Sequence, residues 1–193
     1  MGRSKSYNEE EVIQSALACF WQNGYQNTSI RQLELEMGIN QFSIYSSFKS
    51  KSNLYQIVLR SYINRLSENY LKSLNEPDCN IADVEEFLTN FGVDMIINKI
   101  PQSCLMVRSI LNYNDFDNNI KSTIDDFISM METLYKKALK NSIKQGRISA
   151  KTVVNKEVKF LIGITQSISI MNQHMTSRPV SYTHLTLPTI LLV

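Results

Sequence analysis

The 193-residue sequence has few of the side chains from which enzyme centres are built: two histidines, His174 and His184, and three cysteines, Cys19, Cys79 and Cys104. No Ser-His-Asp, Cys-His, paired-carboxylate or glycine-rich phosphate pattern occurs, so no catalytic residue, metal ligand or cofactor is expected. The cysteines are odd in number and at least 25 residues apart, which argues against a disulfide framework or a zinc cluster and for a reducing compartment. Six glycines and four prolines, beside 43% hydrophobic and 20% charged residues, exclude collagen-like and disordered chains. No apolar stretch follows Met1 as a secretion signal requires, and the longest uncharged run, Phe160 to Ser177, is too polar to span a membrane. Strand alternation and internal repeats are also missing. An all-helical, cytoplasmic protein is expected.

What is present is unevenly placed. Net charge is only +2, yet Met37 to Leu66 carries Lys49, Lys51, Arg60 and Arg65 without an acid. Glu76 to Glu132 instead holds eleven acids against Lys99, Arg108 and Lys121 and reads as a solvated acidic face. The amino-terminal third is therefore the part suited to a polyanion. There, Asn8 caps a helix through Val12, Ala16, Leu17 and Phe20 that Gly24 ends. Thr28 caps a second segment in which Ile30, Leu33 and Met37 share a face, Gly38 stops it, and Asn40 caps a third. Ile44 and Phe48 turn inward, which frees Gln41, Phe42, Ser43, Tyr45 and Ser46 for other contacts. Two short helices joined by so tight a turn, backed by a first helix, form a helix-turn-helix.

Ser50 or Ser52 opens a long fourth helix with Leu54, Val58, Tyr62, Leu66, Tyr70 and Leu74 at four-residue steps, and a domain boundary falls in the polar stretch 75–80. Four further helical segments follow. One starts at Asp83 and runs through Phe87, Phe91 and Met95, one covers about 103–113, a long one covers about 117–145, and the eighth covers about 155–175.

Residues 2–66 resemble the DNA-binding domain of the TetR/AcrR transcriptional regulators. The resemblance is carried by Gly2-Arg3, Phe20-Trp21-Gln22-Asn23-Gly24-Tyr25, Asn27-Thr28-Ser29-Ile30, Met37-Gly38-Ile39-Asn40, Ser43-Ile44-Tyr45, Phe48 and Lys51-Ser52-Asn53-Leu54-Tyr55. Cys104-Leu105-Met106-Val107 and Gly146-Arg147-Ile148 are similar to one branch of that family, which carries Pro or a small residue where Phe42 stands. The resemblance implies an all-α fold with a three-helix DNA-binding domain at 2–50, continuing into the fourth helix to about 74. An effector-binding and dimerisation domain at 81–178 would follow.

It implies a homodimeric regulator of transcription, most simply a repressor released by a small-molecule effector, on palindrome-like double-stranded DNA. The rival reading is a helical ligand-binding protein or a dimerisation-defective fragment without specific DNA binding. Thr28, Ser29, Gln41, Phe42, Ser43, Tyr45, Ser46 and Lys51 are the expected DNA contacts. For Phe42, packing competes with contact to a thymine methyl. Phe87, Phe91, Met95, Met106, Tyr113, Phe127 and Met131 are candidates for an effector pocket, or equally for a solid core. Val158, Leu161, Ile162, Thr165, Ile168 and Met171 form a stripe expected at the dimer interface. Cys104 reads more simply as a small buried hydrophobe than as a reactive thiol. Finally, Val180 to Thr189 resembles the translation of a transposase adapter used in sequencing-library preparation. Residues 180–193 are thus expected to be non-native, and the family's last helix to be missing.

Overall fold

Apolar side chains recurring every three or four positions become helices throughout the computed structural model. It describes residues 7–97 and 104–174, apart from the side chains of 95–97 and 172–174. The amino-terminal unit is α1 (Glu9–Asn23), α2 (Ile30–Met37) and α3 (Gln41–Phe48), followed by α4 (Lys51–Asn69). Asn8 caps α1 by accepting from the Glu10 N–H, Asn40 caps α3 through Ser43, and Ser50 caps α4 through Asn53. Gly38 ends α2 at φ 64°, a left-handed value that favours glycine.

The cap of α2 differs from expectation. Ser29 fills it in a capping box with Gln32, whereas Thr28 is buried and its hydroxyl donates to the Gly24 carbonyl at 2.6 Å. The fourth helix also stops earlier than its four-residue steps predict. It ends at Asn69, the Leu71 N–H reaches back to the Leu66 carbonyl, and a one-turn helix α5 (Lys72–Asn75) follows. The break turns Leu71 into the core beside Leu74 and leaves Tyr70, the next step of the pattern, half-buried.

In the second unit α6 (Ile81–Ile97) begins ahead of Asp83, because Asn80 is its cap. The Asn80 side chain accepts from the Ala82 N–H, and Asp83 accepts from the Asn80 N–H, so Asp83 supports the start without forming it. There follow α7 (Leu105–Leu111), a 3-10 turn (Tyr113–Asp115), α8 (Asn118–Lys144) and α9 (Val154–His174). Asp117 caps α8 by accepting from the Asn119 and Ile120 N–H groups. Among the described residues, no helix is long and apolar enough to cross a membrane. The expectations for residues 180–193 and for Met95's side chain lie outside the described residues.

One continuous core runs through both units. At their seam Phe20, Tyr25, Tyr55 and Phe116 form an aromatic cluster with ring centroids 4.9 to 6.2 Å apart. The Arg108 guanidinium on α7 donates to the Trp21 carbonyl at 2.7 Å, and an added Cβ at Gly24 would lie 2.9 Å from its Nη2. Gly24 therefore serves twice, as the turn at φ 78° and as the gap that admits Arg108. Tyr55 and Ser109 pair their hydroxyls at 2.9 Å, Ser52 bonds Asp117, and Gln56 donates to the Asn119 carbonyl and the Thr123 hydroxyl.

Candidate nucleic-acid interface

The geometry of α3 follows from its pattern of apolar residues. Ile44 and Phe48 are 0% exposed and fix the helix to the core, while Phe42 on the opposite side is 82% exposed and Tyr45 43% exposed. Gln41 and Ser46 are also exposed, and Ser43 is half-buried with its N–H on the Asn40 side chain. Ser47 bonds the Tyr7 hydroxyl, so the chain entering α1 braces α3 from behind. The result is a short rod presenting its leading residues to solvent, which is the arrangement required to enter a major groove.

Three features have no signal in the local residue pattern. Glu34 on α2 accepts the Gln41 N–H at 3.0 Å, so a carboxylate from the preceding helix completes the cap of α3. Its spacing of seven residues lies outside any local capping rule. Arg31 is exposed in the first turn of α2, where the N–H groups of Ile30 and Arg31 have no intrahelical acceptor. Lys49, also exposed, closes α3 at φ 65°, a strained value for a residue with a side chain.

Two of the expected contacts are placed differently. Thr28 is 1% exposed, so its hydroxyl serves the fold. Lys51 donates to the Thr28 carbonyl at 2.7 Å and lies 4.6 Å from the centre of the Tyr25 ring. Partial burial pulls its ammonium below the usual lysine range. Lys51 ties the start of α4 to the turn before α2. Ser29 is exposed, with its hydroxyl engaged by Gln32.

Behind this surface, α4 and α6 to α9 line a small apolar cavity of about 40 Å³. Phe87, Phe91, Phe127 and Met131, four of the candidates for an effector pocket, are among its lining residues. Met106 and Tyr113 are absent from the lining: Met106 is fully buried elsewhere in the core, and Tyr113 donates its hydroxyl to Asp125. Ile162 and Thr165, expected at a dimer interface, line the cavity instead, and Val158 and Leu161 are buried in the monomer core. Ile168 also packs against that core, so the stripe is largely the inward face of α9, and of its six members Met171 alone is exposed. The physical reason for the difference is that a periodic stripe shows that a helix buries one face but does not show against what.

The fold and the outward α3 define an all-helical helix-turn-helix protein in two parts. A family model described as bacterial regulatory proteins, tetR family, matches residues 12–58. The repressor ComR of Escherichia coli (strain K12) is 25% identical over 173 residues, covering 88% of this chain and 81% of ComR. Among solved structures, the cysteine-substituted TetR-family regulator CifR with a 26-bp operator DNA superposes with a TM-score of 0.76 at 19% identity, covering 95% of this chain and 94% of CifR. AibR, solved with isovaleryl coenzyme A and operator DNA, gives a TM-score of 0.72 at 12% identity, covering 95% and 97%. Residues 12–58 thus match a tetR-family DNA-binding domain, and the chain is a DNA-binding transcriptional regulator.

Proposed function

We propose that the chain represses transcription in the cytoplasm as a homodimer on a palindrome-like operator and releases it when a small molecule fills the cavity. It does so without catalysis of its own. The observation that supports this reading is the opposition on α3 between the fully buried Ile44 and Phe48 and the exposed Gln41, Phe42 and Tyr45. In it Gln41, Phe42, Ser43, Tyr45 and Ser46 meet base edges and nearby phosphates, with Gln41 suited to an adenine edge. Ser29 and Arg31 at the start of α2, together with Lys49, meet the backbone. Lys51 positions this surface. Residues 2–50 with the start of α4 form the DNA-binding domain and 81–178 the effector and dimerisation domain.

Two copies would hold their α3 helices about 34 to 36 Å apart, one turn of B-form DNA. Release follows by linkage, since a ligand preferring a conformer with another spacing lowers operator affinity by the same factor. In this fold α7 is the natural link. Cys104, Val107 and Ile110 face the cavity, whereas Arg108 and Ser109 hold the DNA-binding unit through Trp21 and Tyr55. A salt-titrated mobility shift on the DNA flanking the protein's own gene tests the reading. Retardation that survives physiological salt and an excess of unrelated DNA is expected. Weak retardation, equal on all sequences, would instead support a ligand-binding protein without operator recognition.

A further inference from the structure

We propose that the end of the second unit farthest from α3 is a second, sequence-independent surface for double-stranded DNA, so that one molecule holds two duplexes or two distant stretches of one. The regulator reading above uses only the surface around α3.

Residues 136–159, which are the last turns of α8, the connection after it and the first turns of α9, hold seven lysines and Arg147 against one acid, the half-buried Glu157. Their net charge is +7, whereas residues 7–74, which carry α3, hold six cations and six acids. Lys136, Lys140, Lys144, Lys151, Lys156 and Lys159 are exposed, and none makes an ion pair or a side-chain hydrogen bond with a described residue. A helix dipole favours cations in the last turn, which accounts for Lys144 alone. Lys136, Lys140 and Lys144 follow one another at four-residue steps, share a face and repel. The Tyr135–Thr165 hydroxyl pair sets the register in which α9 returns along α8, bringing Lys156 level with Lys144. A polyanion relieves this repulsion, and a duplex, with one charge per about 1.7 Å of its axis, also releases condensed counterions when lysines replace them.

The position of this end sets it apart from α3. Ser52 bonds Asp117, Gln56 donates to the Thr123 hydroxyl, Lys137 to the Asn75 carbonyl and Asn141 to the Cys79 carbonyl. Thus α8 runs beside α4, away from the helix-turn-helix, and its last turn lies about 40 Å from its first. The basic end therefore meets DNA other than the segment that α3 enters.

The side chains at this end favour phosphates over base edges. Lysine is a compact charge without the planar fork that reads guanine, and the amides of Asn141 and Gln145 are spent on the carbonyls of Pro77, Cys79 and Asp78. A duplex also fits better than an anionic bilayer, because Val153 and Phe160 are the large apolar side chains exposed here, too few to anchor in lipid.

The test uses the full chain and two duplexes of the same scrambled sequence, one biotinylated on beads and one carrying a dye. At low salt the protein should retain the dye-labelled duplex on the beads. Lys140→Gln/Lys144→Gln/Lys156→Gln/Lys159→Gln should melt as the parent does, lose most of that retention and reduce the magnitude of the salt slope of scrambled-duplex binding by up to about four, close to one per lysine. Should the fourfold variant fail to fold, Lys140→Gln/Lys144→Gln and Lys156→Gln/Lys159→Gln should each give about half of the change in slope. No retention by the parent, or retention and slope unchanged in the variants, would overturn the proposal. So would sedimentation with phosphatidylserine vesicles, or self-association at low salt, that the variants lose while no duplex is retained, since the surface would then belong to a membrane or to the acidic face of another copy. Retardation of the DNA flanking the protein's own gene, measured on the same preparations, keeps the two readings apart. Specific retardation without retention of the second duplex sinks only the second surface, and retention without specific retardation sinks only operator recognition.

Discussion

The two units of this molecule use the same helix chemistry in opposite directions. In the first, the side chains that matter point outward: Ile44 and Phe48 anchor α3, and Gln41, Phe42 and Tyr45 stand in water. In the second they point inward, where Phe91, Val107, Met131 and Ile162 from four helices meet around a space. An outward site depends on one helix and its caps, whereas an inward site exists only when several distant helices are correctly packed. Substitutions in the outward face should therefore change binding without changing stability. Substitutions beneath it, or at the seam, should change both.

The largest effect is expected beneath α3. Phe48 is fully buried, and Phe48→Ala should cost about 3 to 5 kcal/mol of folding stability, because the ring's packing disappears and a cavity stays behind. A urea melt would measure this, and operator retardation should vanish with it. A melt within error of the parent protein would mean that α3 is held by something other than its inward face. The next effect separates the units most cleanly. Gln41→Ala with Tyr45→Ala removes two exposed side chains, so the melt should move by no more than about 0.5 kcal/mol. Operator affinity should nonetheless fall by about 1 to 3 kcal/mol for each base edge that is no longer read.

The seam should respond in both readouts, and it depends on pH. Asp117 accepts from Ser52 of α4 and from two N–H groups of its own helix, and these hydrogen bonds hold its carboxyl below the usual carboxylate range. A carboxyl lowered in the folded state stabilises the fold above its unfolded pKa, and that contribution disappears as pH falls through the folded value. Asp117→Asn should therefore flatten the loss of stability that the parent shows on acidification below about pH 4. Asp117→Ala, which also removes the cap, should cost about 1 kcal/mol at neutral pH. An unchanged acid profile in Asp117→Asn would exclude the Ser52–Asp117 link as a stabilising contact. Lys49 should give opposite signs in the two assays. Lys49→Gly relieves a positive φ and should stabilise by up to about 1 kcal/mol, while lowering the magnitude of the salt slope of DNA binding by about one.

The same contrast explains what is legible in the residues. Asn8 and Asn40 announce their helices because a cap acts within three positions, and Ile44 with Phe48 announces the inward face of α3 through a spacing of four. Thr28 misleads because Thr and Ser, one position apart, can both serve as caps, and burial against Gly24 decides between them. Lys51 reads as a DNA contact because nothing local shows that the Thr28 carbonyl and the Tyr25 ring lie within its reach. The inward stripe of α9, the role of Glu34 in capping α3 and the passage of Arg108 over Gly24 all depend on pairings across the fold. No periodicity encodes these.

The smallest expected effect is also the most specific to this chain. Phe42 stands almost fully in solvent near the start of α3, at a cost in exposed apolar surface that the monomer does not recover. An apolar ring there can regain contact against the 5-methyl group of a thymine, which the major groove presents and which uracil lacks. Replacing a single thymine by deoxyuridine at each operator position in turn should therefore find one position per half-site where affinity falls by up to about 0.8 kcal/mol, the value of one buried carbon. In Phe42→Ala the same replacement should have no effect, since the partner of the methyl group is gone. The coupling between the two changes, rather than either alone, identifies the contact. A deoxyuridine effect that persists undiminished in Phe42→Ala would assign the methyl to another residue and leave Phe42 as an exposed ring without a role in recognition.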